Sequence, residues 1–221
     1  MERVLVSWSG GKDSAIALWE ILKGGRYEVT ALVTTVTSDY ERISIHGVRR
    51  TLLKKQANSV GVVLEEVFIP KQATNEQYET SMAAVLSKYH AQGVSSVVFG
   101  DIFLEDLRDY REKTLGRLGL NTLFPIWNVE TVELAHRFMN AGFKAITTCV
   151  DTNVLGKEFV GREYNEEFLR ELPTGVDACG ENGEFHTFVY DGPIFKEPIR
   201  LSHGKKVLRE NRFYYCDLLE A

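Results

Sequence analysis

Three cysteines are too few and too far apart to staple this chain. Cys149, Cys179 and Cys216 are odd in number and form no Cys-x-x-Cys pair, which argues against a disulfide framework and against a paired-thiolate metal site. They read as reduced thiols. No apolar run approaches the roughly 18 residues of a membrane span, and Met1-Glu2-Arg3 leads straight into an apolar strand without a signal-peptide pattern. The expectation is a cytoplasmic protein with no membrane attachment. A basic excess is missing as well: the net charge is -5, so a general nucleic-acid-binding surface is not expected, although a local basic patch would not register in that figure. Nor is there an internal repeat, a low-complexity tract or a long linker.

The 221 residues, 44% of them hydrophobic, suffice for one substantial core with at most a small appended subdomain. The organising stretch is Val4-Leu5-Val6-Ser7-Trp8-Ser9-Gly10-Gly11-Lys12-Asp13-Ser14, a strand covered on both faces that runs through a glycine turn into a helix over Ala15 to Leu22. Gly10 and Gly11 let successive N–H groups converge on an anion at the positive end of that helix. Ser9 and Ser14 add hydroxyls, and Lys12 adds a charge. The spacing is neither that of a Walker loop nor that of a G-x-G-x-x-G turn. A plain strand-to-helix connection is the bland alternative.

Strands are expected over Tyr27 to Thr37, Val62 to Ile69 and Val94 to Phe99, with helices over Val48 to Val60, Thr74 to Ala91, Leu107 to Leu118 and Val129 to Ala141. Ser38 to Ile45 reads as a loop over the site, Leu123-Phe124 as a brief extended piece, and Lys144 to Val150 as a fifth main strand. This alternation implies a parallel sheet with right-handed crossovers, and it puts Gly100-Asp101 at a strand's carboxyl end, where such sheets bind ligands. After a helix over Glu163 to Leu172 the chain becomes rich in Gly, aromatic and β-branched residues. Hairpins are expected there, closed by a strand over Arg212 to Cys216; Phe213, Tyr214 and Tyr215 would form a homodimer edge if exposed, or core if not.

Two further stretches carry candidate chemistry. His46, Arg49 and Arg50 begin the second helix on the edge that holds the glycine turn, and would meet an anionic acceptor or a polyphosphate, unless they are a solvated helix start. In Cys179-Gly180-Glu181-Asn182-Gly183-Glu184-Phe185-His186-Thr187, a strand from Glu184 would place Glu184 and His186 on one face. A carboxylate and an imidazole there suit proton transfer from an amine or the holding of a cation; the alternative is a hairpin with a polar outer face.

The Ser9–Ser14 loop resembles the Ser-Gly-Gly-x-Asp-Ser loop of the N-type ATP pyrophosphatases. With Gly100-Asp101-Ile102, Leu118-Gly119-Leu120, Phe124-Pro125-Ile126-Trp127, Val160-Gly161-Arg162 and Gly180-Glu181-Asn182-Gly183-Glu184-Phe185 in that order, the chain is similar to the diphthine ammonia ligase family from about Val4 to Phe195. The resemblance implies an α/β, doubly wound, mainly parallel five-stranded sheet, adenine nucleotide alpha hydrolase-like, over 1–150. A smaller α+β extension over 151–221 would bind the acceptor. It also implies ATP and Mg2+ as cofactors, ammonium as co-substrate, and a carboxylate acceptor on the translocating elongation factor or on a small molecule. Ser9, Gly10, Gly11, Lys12, Asp13, Ser14, Gly100 and Asp101 would bind the nucleotide, Asp13 the metal, and Asp101 would add a second nucleotide or magnesium contact. Lys12, Asp13, Glu184 and His186 would be catalytic, and His46, Arg49, Glu181 and Glu184 would bind the acceptor or guide ammonium. Asn182, where glycine is more usual, and Glu-Phe-His-Thr in place of Glu-Tyr-Glu-Thr depart from the pattern and bear on the acceptor. An ATP pyrophosphatase acting on another acceptor, a small molecule or tRNA, and a non-catalytic ATP or AMP sensor are the alternatives.

Overall fold

A computed structural model of the chain describes residues 1–39, 42–43 and 47–221. Strand β1 (Glu2–Ser7) is its axis: Val4, Leu5 and Val6 have no exposed surface. Val4 and Val6 belong to one apolar cluster and Leu5 to another, because successive side chains of a strand point to opposite faces. The first cluster packs helices α1 (Lys12–Lys23) and α2 (Arg50–Val60) on one face; the second packs α3 (Asn75–Ala91) and α4 (Glu105–Gly116) on the other. A strand sealed by both layers has no polar alternation.

Strand β1 pairs in parallel with β2 (Tyr27–Thr37) on one side and β5 (Val94–Val98) on the other. Beyond them lie β4 (Val63–Ile69), parallel to β2, and β6 (Asn121–Leu123), parallel to β5. A two-residue strand β3 (Arg42–Ile43) runs antiparallel to the end of β2. The chain therefore builds outward from β1 through β2 to β4, then crosses back to lay β5 against β1's free side. The reversal makes the carboxyl ends of β1 and β5 the switch point where open α/β sheets bind ligands. A mainly parallel, doubly wound sheet is what the sequence predicts.

One strand differs from expectation. Lys144 to Val150 forms β7 (Lys144–Asp151), but not in the parallel sheet. It lies inside a second, four-stranded antiparallel sheet, between β8 (Phe185–Asp191) and β10 (Phe213–Glu220), with β9 (Leu201–Arg209) at the far edge. From Ala145 to Asp151 every residue of β7 is buried, and such a run looks the same in either kind of sheet. The outermost parallel strand is instead β6, three residues long. Strand β10 is likewise interior, so Phe213, Tyr214 and Tyr215 lie within the sheet and not along its edge.

Helices α5 (Thr131–Asn140) and α6 (Glu166–Glu171) cover the second sheet, and Phe138, Phe168, Phe185 and Phe188 join the same apolar cluster as Leu18 and Val6. Helix α6 is shorter than the expected Glu163 to Leu172, because Asn165 caps it, accepting the Phe168 N–H at 2.9 Å. Among the described residues, no helix is long and apolar enough to cross a membrane.

Candidate functional site

The glycine turn after β1 is braced from behind by both halves of the molecule. Gly10 has φ +76°, and a Cβ there would lie 2.5 Å from Gln56 Oε1 and 2.6 Å from Leu53 Cδ1. Its carbonyl accepts the Val189 N–H of β8 at 2.9 Å and the side-chain amide of the fully buried Gln56 at 2.9 Å. The same amide donates to the Val189 carbonyl at 2.5 Å, while Gln56 Oε1 accepts the Trp8 indole N–H at 3.1 Å. One glutamine from α2 thus joins β1, the turn and the second sheet. Within the turn, Gly11 N–H donates to Ser9 Oγ at 3.2 Å, Ser14 Oγ donates to the Gly11 carbonyl at 2.9 Å, and the two serine hydroxyls are 3.2 Å apart. Lys12 N–H donates to Thr187 Oγ1 of β8 at 3.1 Å.

Lys12 lies only 3% exposed. Its Nζ donates to the Cys179 carbonyl and, at 2.9 Å, to Asp13 Oδ2, and it sits 5.7 Å and 5.2 Å from the ring centres of Tyr164 and Phe185. Burial opposes its charge, yet the Asp13 carboxylate beside it, together with Cys179 and Glu181, outweighs this and raises its pKa. Burial pushes the Asp13 carboxyl upward, against the pull of Lys12. Among the described residues, Asp13 Oδ1 is buried with no hydrogen-bond partner.

A cleft of 230 Å³ brings three distant stretches together: Ser9, Lys12, Asp13 and Ser14 of the turn, Gly100-Asp101 after β5, and the segment from Gly180 to Thr187. Gly100 packs directly on the first turn of α1, where a Cβ would lie 2.7 Å from the Asp13 carbonyl carbon and 2.9 Å from Ser14 N. Asp101 has both carboxylate oxygens on the Arg111 guanidinium of α4, one contact being 3.1 Å. Glu181 lines the cleft and accepts the Ile102 N–H at 2.7 Å; burial first, then the Asp13 and Asp101 charges, push its carboxyl up to about 7. His186 also faces the cleft, from β8.

Glu184 is placed otherwise. It is 6% exposed and off the cleft wall, with Oε1 accepting from Asp177 N–H at 3.1 Å and from the Asn182 side-chain amide at 2.9 Å, and with Oε2 buried and unpartnered among the described residues. The unusual Asn182 therefore holds the glutamate two residues on. Cys179 is not placed as a metal ligand: its thiol donates to the Thr131 carbonyl at 3.3 Å, and burial pushes it up to about 12. Among the described residues, no group of three or more His, Cys, Asp or Glu side chains could hold a metal ion.

The second-helix residues lie apart from this cleft. His46 falls outside the described residues. Arg49 makes a two-pronged contact with Asp217 of β10, at 3.1 and 2.6 Å, and Arg42 adds a third bond at 2.8 Å. Arg50 pairs with Glu66 of β4, one contact being 2.9 Å. Burial alone would raise the Asp217 pKa, but the bonds from Arg49 and Arg42 prevail and hold it at about 2, below its ordinary 3.8. A depressed carboxylate contributes stability that is present above its unfolded pKa and lost as pH falls toward the folded one. Asp217→Asn is therefore expected to lower unfolding free energy by about 2 kcal/mol at neutral pH. The gap should close as pH falls from about 4 toward about 2, measured by denaturant titration at each pH. An unchanged gap at low pH would show that the arginines do not depend on that charge.

Gln56, Thr187, Arg111 and Tyr164 escape sequence reasoning. Gln56 and Arg111 are ordinary helix residues locally, Thr187 a strand residue and Tyr164 a loop residue, and each acts only through a partner that the fold brings to it. A polar Gln among Leu52, Leu53 and Ala57 on the buried face of α2 is the one signal available, since a buried amide requires a partner.

The chain matches known families along most of its length. A family described as the diphthamide synthase N-terminal domain matches residues 2–122, and one described as the diphthamide synthase C-terminal domain matches residues 130–218. The diphthine–ammonia ligase of Danio rerio is 25% identical over 240 residues, covering 95% of this chain and 90% of that protein. That of Mus musculus is 26% identical over 231 residues, covering 93% and 85%. That of Schizosaccharomyces pombe is 26% identical over 238 residues, covering 98% of this chain and 38% of that longer protein.

Proposed function

This chain belongs to the diphthamide synthase family, and from that premise we propose that it is a cytoplasmic, ATP-dependent ligase that adenylates an acceptor carboxylate and amidates it with ammonium. The single observation that carries the reading is the cleft: a glycine turn at the switch point of a nucleotide-type sheet faces the Gly180–Thr187 segment that distinguishes the family. A sensor that only held the nucleotide would not need that second wall.

The turn residues bind and orient the polyphosphate. An acceptor carboxylate oxygen attacks the α-phosphorus, the bond to the bridging oxygen breaks, and pyrophosphate departs from a site where the Ser9 and Ser14 hydroxyls and the start of α1 stabilise its charge. Nitrogen then displaces AMP from the acyl carbon. A divalent cation fits the chemistry of the turn, since Asp13 Oδ1 is a buried carboxylate oxygen with no donor among the described residues. Asp13 would hold Mg2+, which would offset the polyphosphate charge. The acceptor is diphthine on the elongation factor by likeness to the relatives, and the Gly180–Thr187 wall is where it would enter.

The test is product analysis with purified protein, ATP and Mg2+, with and without ammonium and a diphthine-bearing elongation factor. AMP and pyrophosphate should form only with the acceptor. Ser14→Ala should slow their release about ten- to a hundredfold, the worth of one hydrogen bond to a charged oxygen. AMP that forms only with another cellular fraction would move the acceptor elsewhere, and ATP binding without any AMP would sink the ligase reading.

A further inference from the structure

Resting on the ligase reading, we propose that the Glu181 carboxylate receives the ammonium ion and takes its proton, releasing ammonia as the nucleophile inside the cleft. Three residues of the Gly180–Thr187 segment have the chemistry for that step, and their placement separates them. Glu184 is buried behind the wall with one oxygen committed to Asp177 and Asn182. His186 faces the cleft, but an imidazole carries no negative charge with which to draw an ammonium ion in. Glu181 faces the cleft with Oε1 fixed by the Ile102 N–H at 2.7 Å, so its second oxygen has a set direction.

Its charge is also uncommitted. Of the cleft carboxylates, Asp13 is paired with Lys12 and Asp101 with Arg111, whereas no lysine or arginine forms an ion pair with Glu181 among the described residues. Lys12, whose charge acts on it, is already held by Asp13 and the Cys179 carbonyl, and ammonium is the small cation the reaction needs. The groups facing it are Lys12 and Asp13 from α1, Asp101 with its partner Arg111 beyond β5, and His186 from β8. Burial and the two aspartates raise the Glu181 carboxyl to about 7, which makes it a stronger base than an ordinary glutamate and leaves about half of it ionised at neutral pH.

The step balances. One N–H bond of ammonium breaks and its proton goes to Glu181. The freed lone pair forms the C–N bond at the adenylate carbonyl carbon, the C–O bond to the phosphate breaks, and AMP leaves with that electron pair. The nitrogen's surplus proton follows the departing phosphate.

Two nucleophiles test this in the full chain with ATP, Mg2+ and the diphthine-bearing elongation factor. Ammonium must lose a proton before it attacks, whereas hydroxylamine is already neutral near neutral pH. Glu181→Gln is expected to lower amide formation from ammonium about a hundredfold. Hydroxamate formation from hydroxylamine, and ATP–pyrophosphate exchange, should stay near those of the unmodified protein. Equal loss with both nucleophiles, or unimpaired amide formation, overturns the proposal. In the unmodified protein, at fixed total ammonium, the amide rate should climb to about pH 7 and then level. A rate that keeps climbing about tenfold per pH unit, as uptake of free ammonia alone would give, overturns it without any variant having to fold. Absence of exchange and of both products in the unmodified protein overturns the ligase reading, and this step with it.

Discussion

Gly100→Ala is expected to abolish pyrophosphate formation while leaving a folded protein. Gly100 has no left-handed backbone angle, so alanine is not refused on conformational grounds; the refusal is one of space. The new methyl would lie 2.7 Å from the Asp13 carbonyl carbon, 2.8 Å from its oxygen and 2.9 Å from Ser14 N. These are backbone atoms of the first turn of α1, and they cannot swing aside as a side-chain tip can. Either β5 retreats or the start of α1 moves, and in both cases Ser9, Asp13 and Ser14 shift together relative to Asp101 and Glu181. A displacement near an ångström costs about a hundredfold for one reacting pair, so several groups displaced at once should cost about a thousandfold or more. Overpacking should lower stability by only about 1–3 kcal/mol. Pyrophosphate release and thermal unfolding of the same sample separate the two effects. Gly116→Ala is the control, because nothing lies within 4 Å of its added methyl, and it should leave turnover unchanged. Turnover retained in Gly100→Ala would mean that the turn is not held in register by β5.

What the sequence discloses and what it hides divide along a physical line. The strand-turn-helix at Val4 to Leu22 is legible because its determinants are local: branched residues for the strand, glycines for the turn, apolar spacing for the helix. Gly100-Asp101 is legible because a parallel strand ending there has only one place to deliver its next residues. Partnership is not legible. The run from Ala145 to Val150 states that it is buried, not which sheet buries it. Arg49 states a charge, and only the fold supplies Asp217, 168 residues away, as its occupant. Asp101 likewise looks like a free ligand until Arg111 arrives from α4 to take both its oxygens. The segment from Gly180 to Phe185 falls between the two cases: its residue types announce chemistry, but only the fold tells the cleft-facing Glu181 from the buried Glu184.

Lys12 gives the sharpest contrast, and its replacement the second large effect. From the sequence, its place in the glycine turn makes it a charge for an anion, and the resemblance makes it a nucleotide ligand. In the fold its Nζ is caged by the Cys179 carbonyl, the Asp13 carboxylate at 2.9 Å and the Tyr164 and Phe185 rings, so it ties the glycine turn to the Gly180–Thr187 wall. Lys12→Met keeps the stem's volume and removes the charge. As a strut, its loss strands Asp13 beside a cage with no cation and is expected to cost about 3 kcal/mol, at the low end for a broken buried pair because Asp13 is 31% exposed. For a chain of this length that is a fall of about 10 °C in Tm. Adding Asp13→Asn to Lys12→Met should recover part of it, since the stranded charge is then gone. A lysine whose work is on the phosphate gives the opposite pattern: Tm unchanged, the KM for ATP raised, and no recovery in the double variant. Because both patterns are read from the same purified proteins, the measurement decides whether the turn recognises the nucleotide with this charge or spends it on holding the two walls of the cleft together.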